Sequence, residues 1–176
     1  MTRTVIIYKS KYGATARYAA LLSEMLGGEA LEAGAASAGA LEGADTVIFA
    51  GGVYAGGVAG MDRFRRLLPA LTGRRLALLC VGASPYDEKA LAALRARCSG
   101  LPEDVPLFYA RGAWDESRMG LKDRAMCRLL QKMVAKQPPE QCEPWMRELL
   151  SAMGQKRDWV SADYLAPLLA YVNADG

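Results

Sequence analysis

The sequence predicts an α/β fold, a doubly wound parallel sheet of five strands with helices on both faces. Two observations predict it. Short β-branched apolar runs alternate with segments of helical periodicity, and the intervals between the runs suit parallel βαβ units with right-handed crossovers.

The first run, Thr4-Val5-Ile6-Ile7-Tyr8, reads as a buried parallel strand that ends in a polar, Gly-containing loop. From Ala14 to Leu26 the residues Ala16, Ala19, Ala20, Leu22 and Met25 recur at helical spacing, and Gly27-Gly28 supplies the stop. A weaker strand over Glu29 to Glu32 follows, then an Ala/Gly-rich connection, then the strong run Thr46 to Ala50. A loop from Gly51 to Gly60 precedes an amphipathic helix marked by Met61, Phe64, Leu67, Leu68 and Leu71 and closed by Gly73. Leu76 to Val81 is the fourth strand, Asp87 or Glu88 opens a helix to about Cys98, and Leu107 to Ala110 is the fifth strand.

The stretch from Arg111 to Asp158 is too long for a simple connection. It reads as a helical insertion, with one helix over about Leu121 to Ala135 and a shorter one from Pro144 to Met153. Ser161 is the expected N-cap of the last helix, Ala162 to Val172, with Asp163 and Tyr164 in its first turn. The whole chain, 1–176, is read as one domain carrying the insertion 111–158.

Composition narrows the function. The chain is 52% hydrophobic and 23% charged, which fits a globular rather than a disordered protein. Its N-terminal apolar stretch is too short for a signal peptide, and no apolar run approaches the roughly 20 residues of a membrane span. A cytoplasmic location is therefore expected, and with it reduced thiols at Cys80, Cys98, Cys127 and Cys142, which show no metal-ligand spacing. There is no histidine, so the commonest general base and zinc ligand is missing, and a cofactor is expected to carry any chemistry. A net charge of +3 is too small to argue for nucleic acid.

In open parallel sheets ligands bind beyond the carboxyl ends of the strands. That rule selects Lys9 to Ala14, Gly51 to Gly60, Gly82 to Tyr86 and Arg111 to Trp114. The first loop, Ser10-Lys11-Tyr12-Gly13-Ala14-Thr15, combines two hydroxyls, a glycine and a helix N-terminus, which makes an anion cradle. It has neither the Walker spacing nor Gly-x-Gly-x-x-Gly.

Tyr8 to Thr15 resembles the phosphate loop of the flavodoxin-like, FMN-binding family, with Ser10, Gly13 and Thr15 matching the pattern. Tyr12 stands where Ser or Thr is usual, so the resemblance implies a phosphate contact there through the backbone N–H only. It implies a sheet of order 2-1-3-4-5 and FMN as cofactor. It also implies flavin-ring contacts from Gly51, Gly52, Val53, Tyr54, Ala55 and Gly56 and from the loop Gly82-Ala83-Ser84-Pro85-Tyr86. Tyr86 and Trp114, aromatic residues at strand ends, are rival candidates for a ring partner beside Tyr54, the alternative being that they cap the core. Phe108 to Ala113, the basic helix that follows and Asp158-Trp159 resemble the branch that includes menaquinone-dependent protoporphyrinogen oxidase.

The expected function is an FMN-binding oxidoreductase or electron-transfer protein with no catalytic side chain and no metal. One alternative is a quinone-dependent protoporphyrinogen dehydrogenase, another a non-enzymatic flavin-binding or regulatory module. Expected partners are a redox protein, a quinone or a small substrate. On the helix 121–135, Leu121, Met126, Leu129, Leu130 and Met133 lie beside Arg124, Arg128 and Lys132. The expectation is that this apolar face packs against the domain; the other reading makes it a surface for a quinone, an electron-transfer partner or a membrane.

Overall fold

The computed structural model describes residues 2–174. In chain order the elements are β1 (Thr4–Lys9), α1 (Ala14–Leu26), β2 (Glu29–Glu32), β3 (Thr46–Tyr54), β4 (Gly57–Val58), α2 (Met61–Leu67), β5 (Arg75–Gly82), α3 (Glu88–Arg97) and β6 (Leu107–Arg111). They continue with β7 (Ala113–Asp115), α4 (Leu121–Val134), α5 (Pro144–Ser151), β8 (Lys156–Asp158) and α6 (Ala166–Asn173).

The main sheet runs β2-β1-β3-β5-β6, all parallel, which is the predicted order once the short β4 is set aside. Alternate residues of each strand feed two cores. Val5, Ile7, Val47, Phe49, Leu78 and Cys80 face α2 and α3, with Phe49 stacked on Phe64 at 4.8 Å between ring centroids. Ile6, Ile48, Ala50, Ala77, Leu79 and Val81 face the other layer, where Tyr18, Ala19 and Leu22 of α1 meet Leu165 and Leu168. Strands buried on both faces explain why the runs are continuously apolar rather than alternating.

Three elements differ from the sequence reading. The segment 51–60 is not a free loop: β3 continues through Gly51 and Gly52, which pair with Cys80 and Val81, then turns back as the antiparallel β4. Gly51 permits this, since a Cβ there would lie 2.3 Å from Cγ1 of Val58. The helix expected from Met61 to Leu71 becomes a 3-10 turn after Leu67, because Pro69 has no N–H to donate. The last helix likewise begins as a 3-10 turn, Ala162–Leu165, capped by Ser161 as expected, before Pro167 enters the first turn of α6.

Between β6 and α6 the chain leaves and rejoins the sheet at one place. β7 and β8 pair antiparallel across 40 residues and close the segment 113–158 into a loop with a two-stranded base. The fully buried Tyr18 fixes both ends, donating its hydroxyl proton to the carbonyl of Arg111 (2.5 Å) and accepting from the N–H of Ser161 (3.2 Å). Among the described residues no helix is long and apolar enough to cross a membrane.

Candidate functional site

The strand order reverses between β1 and β3, since β1 leads to β2 on one side and the chain then crosses to β3 on the other. A crevice therefore opens between the loops that follow them. It holds a cavity of about 400 Å³, within the ordinary range for a small-molecule or cofactor site.

One end of the cavity is the loop from Ser10 to Thr15. Gly13 caps α1 with φ +100, a conformation that any side chain would strain, and has no side-chain cap of its own. The Ser10 hydroxyl accepts from the Gly13 N–H at 3.0 Å and so shapes the turn. The first intrahelical bond is Arg17 N–H to Gly13 carbonyl, at 3.1 Å. The N–H groups of Ala14, Thr15 and Ala16 therefore have no acceptor within the helix. Thr15 is buried, with its hydroxyl 3.4 Å from where a Cβ on Gly52 would be, so the glycine keeps that hydroxyl accessible from the strand side.

The walls come from Gly52, Val53 and Tyr54 of β3, Gly82 at the end of β5 with Ala83 after it, and Trp114 on β7. These are predicted ring-side residues. Gly57, Val58, Ala59, Val81, Gly112 and Ala113 also line it. Gly112 allows close approach of the chain leaving β6, since a Cβ there would stand 3.0 Å from Val81 and 3.1 Å from Ala14. The indole N–H of Trp114 is buried and has no hydrogen-bond partner.

The remaining predicted residues lie off the cavity. Gly51 is a packing glycine under Val58. Ala55 and Gly56 form the tip of the β3–β4 hairpin with φ 49 and 75, where Arg97 donates to the Gly56 carbonyl at 2.9 Å. Ser84 borders a separate hollow of about 80 Å³ between the sheet and α5, with Trp145 and Trp159. Tyr86 is 61% exposed and meets Tyr109 edge-on rather than facing the cavity.

The roof is the part sequence reasoning missed. α4 lies over the cavity with Asp123 and Cys127 facing in, beside Met119. The side chain of Asp123 is only 8% exposed, and Lys11 Nζ reaches it at 2.5 Å. The hydroxyls of Tyr12 and Tyr54 both donate to the same carboxylate. Lys11 first, then the two tyrosines, hold the Asp123 carboxyl well below the usual carboxylate range. The same carboxylate is the main cause of the upward shifts at Lys11 and Tyr54, while Tyr12 is raised first by burial. Lys11 also sits 3.9 Å from the centroid of the Tyr54 ring. One aspartate from α4 thus ties the loop after β1 to the hairpin after β3. A single acid in a basic helix carries no sequence signal for this role.

The fold and site together define an open α/β protein that binds a phosphate-bearing cofactor at its strand-order switch point. The flavodoxin domain family model matches residues 5–141, and the chain belongs to that family. No curated protein matches it. Solved structures similar to it include a flavodoxin from the domain Archaea, 14% identical, with 73% of this chain and 92% of that one covered and a TM-score of 0.48. A flavodoxin of Streptococcus pneumoniae TIGR4 is 24% identical over 71% of this chain and 96% of its own, with a TM-score of 0.45. The two-electron reduced flavodoxin of Megasphaera elsdenii is 16% identical over 61% and 84%, with a TM-score of 0.46.

Family membership implies FMN as the cofactor, and the residues present fit it. The cradle offers two hydroxyls and the N–H groups of a helix start to a phosphate. The walls are largely apolar and suit a planar ring, and the unpartnered indole N–H of Trp114 is a buried donor awaiting an acceptor.

Proposed function

We propose that this chain is an FMN-binding electron-transfer protein of the oxidoreductase class. The observation that carries the reading is the anion cradle of Ser10 to Thr15 opening directly into the apolar cavity at the β1/β3 switch point. FMN, when bound, supplies one- or two-electron chemistry that no side chain here provides. The chain's own groups bind and orient. Ser10, Thr15 and the α1 N-terminus hold the phosphate, while Gly52, Val53, Gly82, Ala83 and Trp114 enclose the ring and exclude water.

The titratable groups around the cavity are held in their ordinary charge states at neutral pH. Asp123 is kept ionised, Lys11 protonated, and Tyr12 and Tyr54 neutral. None is poised as a nucleophile or a neutral-pH base.

The test is reconstitution with FMN, removal of excess, an absorbance spectrum and anaerobic photoreduction. Retention of about one flavin per chain that can be reduced supports the reading; a protein that retains none overturns it and leaves a binding or regulatory module.

A finer reading takes a quinone as electron acceptor and protoporphyrinogen as donor. One observation favours a quinone-bearing, anionic surface: the outer side of α4 exposes Met126, Leu129 and Met133 beside Lys122, Arg128 and Lys132, directly behind the residues that roof the cavity. Rapid reoxidation of the photoreduced holoprotein by a soluble menaquinone analogue, with conversion of protoporphyrinogen to protoporphyrin, supports it. Failure of the quinone to reoxidise the reduced flavin, together with failure of protoporphyrinogen to reduce the oxidised flavin, overturns it and leaves the electron carrier.

A further inference from the structure

Two cations beside the phosphate loop are in opposite situations. Lys11 belongs to the loop yet is engaged by Asp123 at 2.5 Å. Arg118 belongs to the distant 113–158 segment, and its two terminal nitrogens each lie 3.8 Å from the position a Cβ on Gly13 would take. The guanidinium therefore rests against the N-cap of α1. Among the described residues Arg118 has no carboxylate within salt-bridge distance and no hydrogen-bond partner for its side chain.

A cation at this end of a helix is placed against the helix dipole, which favours anions there. The turn that carries it is nevertheless firmly held. The guanidinium of Arg124, on α4, donates to the carbonyls of Glu116 (3.1 Å), Ser117 (3.3 Å) and Met119 (3.3 Å). Asp115 accepts from the Ser117 N–H at 3.0 Å, and Gln131 donates to the Glu116 carboxylate at 3.3 Å. Three polar side chains are thus engaged in fixing residues 116–119, and the product of that fixing is an unpaired guanidinium beside three helix N–H groups. An anion between them removes the conflict: it accepts from the N–H groups and the guanidinium together.

We propose that Arg118 grips the phosphate monoester dianion of the bound flavin, so that the segment 113–158 completes a phosphate site begun by the loop after β1, with Arg124 as its positioning residue. The inference rests on the FMN reading above. A planar guanidinium suits two phosphate oxygens at once, and such charge-assisted bonds are strong where solvent is partly excluded. The consequence is discrimination: FMN is held by this arginine and riboflavin is not.

The experiment is titration of apoprotein with FMN and with riboflavin, followed by fluorescence quenching at low and moderate salt, for wild type, Arg118→Ala, Arg118→Lys and Arg124→Ala. Arg118 is exposed, so its variants are expected to fold as wild type does, and circular dichroism of each variant checks it. Expected for Arg118→Ala is at least a tenfold weaker FMN Kd, a riboflavin Kd within twofold of wild type, and a flatter salt dependence for FMN. Arg118→Lys recovers part of the loss, and Arg124→Ala loses FMN affinity in the same selective way. Tight FMN binding by wild type with no change in Arg118→Ala overturns the grip alone, as does equal weakening of both flavins, which marks a general covering role. Wild type that retains neither flavin overturns the FMN reading and the grip with it. Competition by inorganic phosphate separates the sources: phosphate held as tightly as FMN overturns the flavin assignment in favour of a free-phosphate site.

Discussion

Helices α1 and α4 border the same cavity and bury opposite kinds of residue. α1 turns Tyr18, Ala19 and Leu22 onto the sheet. α4 turns in Asp123, Gln131 and Val134, while Leu121, Leu129 and Met133 stay 84%, 61% and 59% exposed. Both carry an apolar stripe at helical spacing, so the expectation that the α4 stripe packs against the domain is corrected by the structure. Besides the apolar contact of Val134 and its packing on α5, α4 is held by polar ties, the carboxylate of Asp123 to Lys11, Tyr12 and Tyr54 and the guanidinium of Arg124 to the turn before it. Hydrophobic periodicity reports that a face calls for cover; it does not say that the same chain supplies it.

The comparison breaks first on stability. Leu79 is fully buried in the central part of the sheet, and Leu79→Ala is expected to cost about 2–5 kcal/mol in urea unfolding. Leu129→Ala is expected to stay within about 0.5 kcal/mol of wild type, because that side chain is largely exposed and alanine is as good a helix former. Equal losses at the two positions mean that α4 is covered in solution.

Next in size is the effect of Asp123→Asn. Removing the charge leaves Lys11 without its partner and weakens the acceptor for two tyrosines, so α4 is expected to lift from the hairpin. Limited proteolysis should then cut within residues 113–158 several-fold faster, while the sheet core, which meets these ties only at Tyr54 on the end of β3, unfolds as before. The pH dependence has a definite sign. A carboxyl whose folded pKa is depressed stabilises fully above its ordinary value of about 3.9 and loses that contribution as pH falls below it. Lys11 is raised, so its share is present below about 10.4 and is lost above. Protection of the segment in wild type is therefore expected to be level from about pH 5 to 9 and to fall in acid, and Asp123→Asn should abolish the acid step. An acid step of the same size in the variant assigns it to another group.

How much of this was legible in the sequence divides along the same line. β1, α1, β2 and α3 were readable almost to the residue, because each is a local pattern bounded by Gly, Asp or a loop, and Asp87 does cap α3 by accepting from the Ala90 N–H. The β3–β4 hairpin was hidden by glycines that read as a loop but serve close packing at Gly51. The β7–β8 ribbon was hidden by separation: Lys156-Arg157-Asp158 is polar and exposed, and only pairing with Ala113 to Asp115 makes it a strand. The cradle was legible because its residues are consecutive. Asp123, Cys127 and Arg118 were not, since each acts on a loop more than a hundred residues away or on the cavity that loop encloses, and alone each resembles an ordinary surface or core residue.

The smallest effect probes the cavity from its roof. Cys127 lies half-buried on the inner side of α4, facing the space assigned to the flavin, whereas Cys80 is fully buried in β5, in the core shared with α2 and α3. Burial raises both thiols above their ordinary value, Cys80 far more, so both are protonated at neutral pH and Cys80 is inert besides being inaccessible. Maleimide labelling of the apoprotein is expected to be slow at Cys127 and absent at Cys80, and to quicken at Cys127 in Asp123→Asn, where the roof is loosened. Added FMN should slow labelling at Cys127 by a few-fold and leave the variant's unfolding midpoint in urea, set by the sheet core, no lower than before. Labelling at Cys127 that is indifferent to FMN would place the ring away from α4, and the two helices would then border the cavity without both facing its occupant.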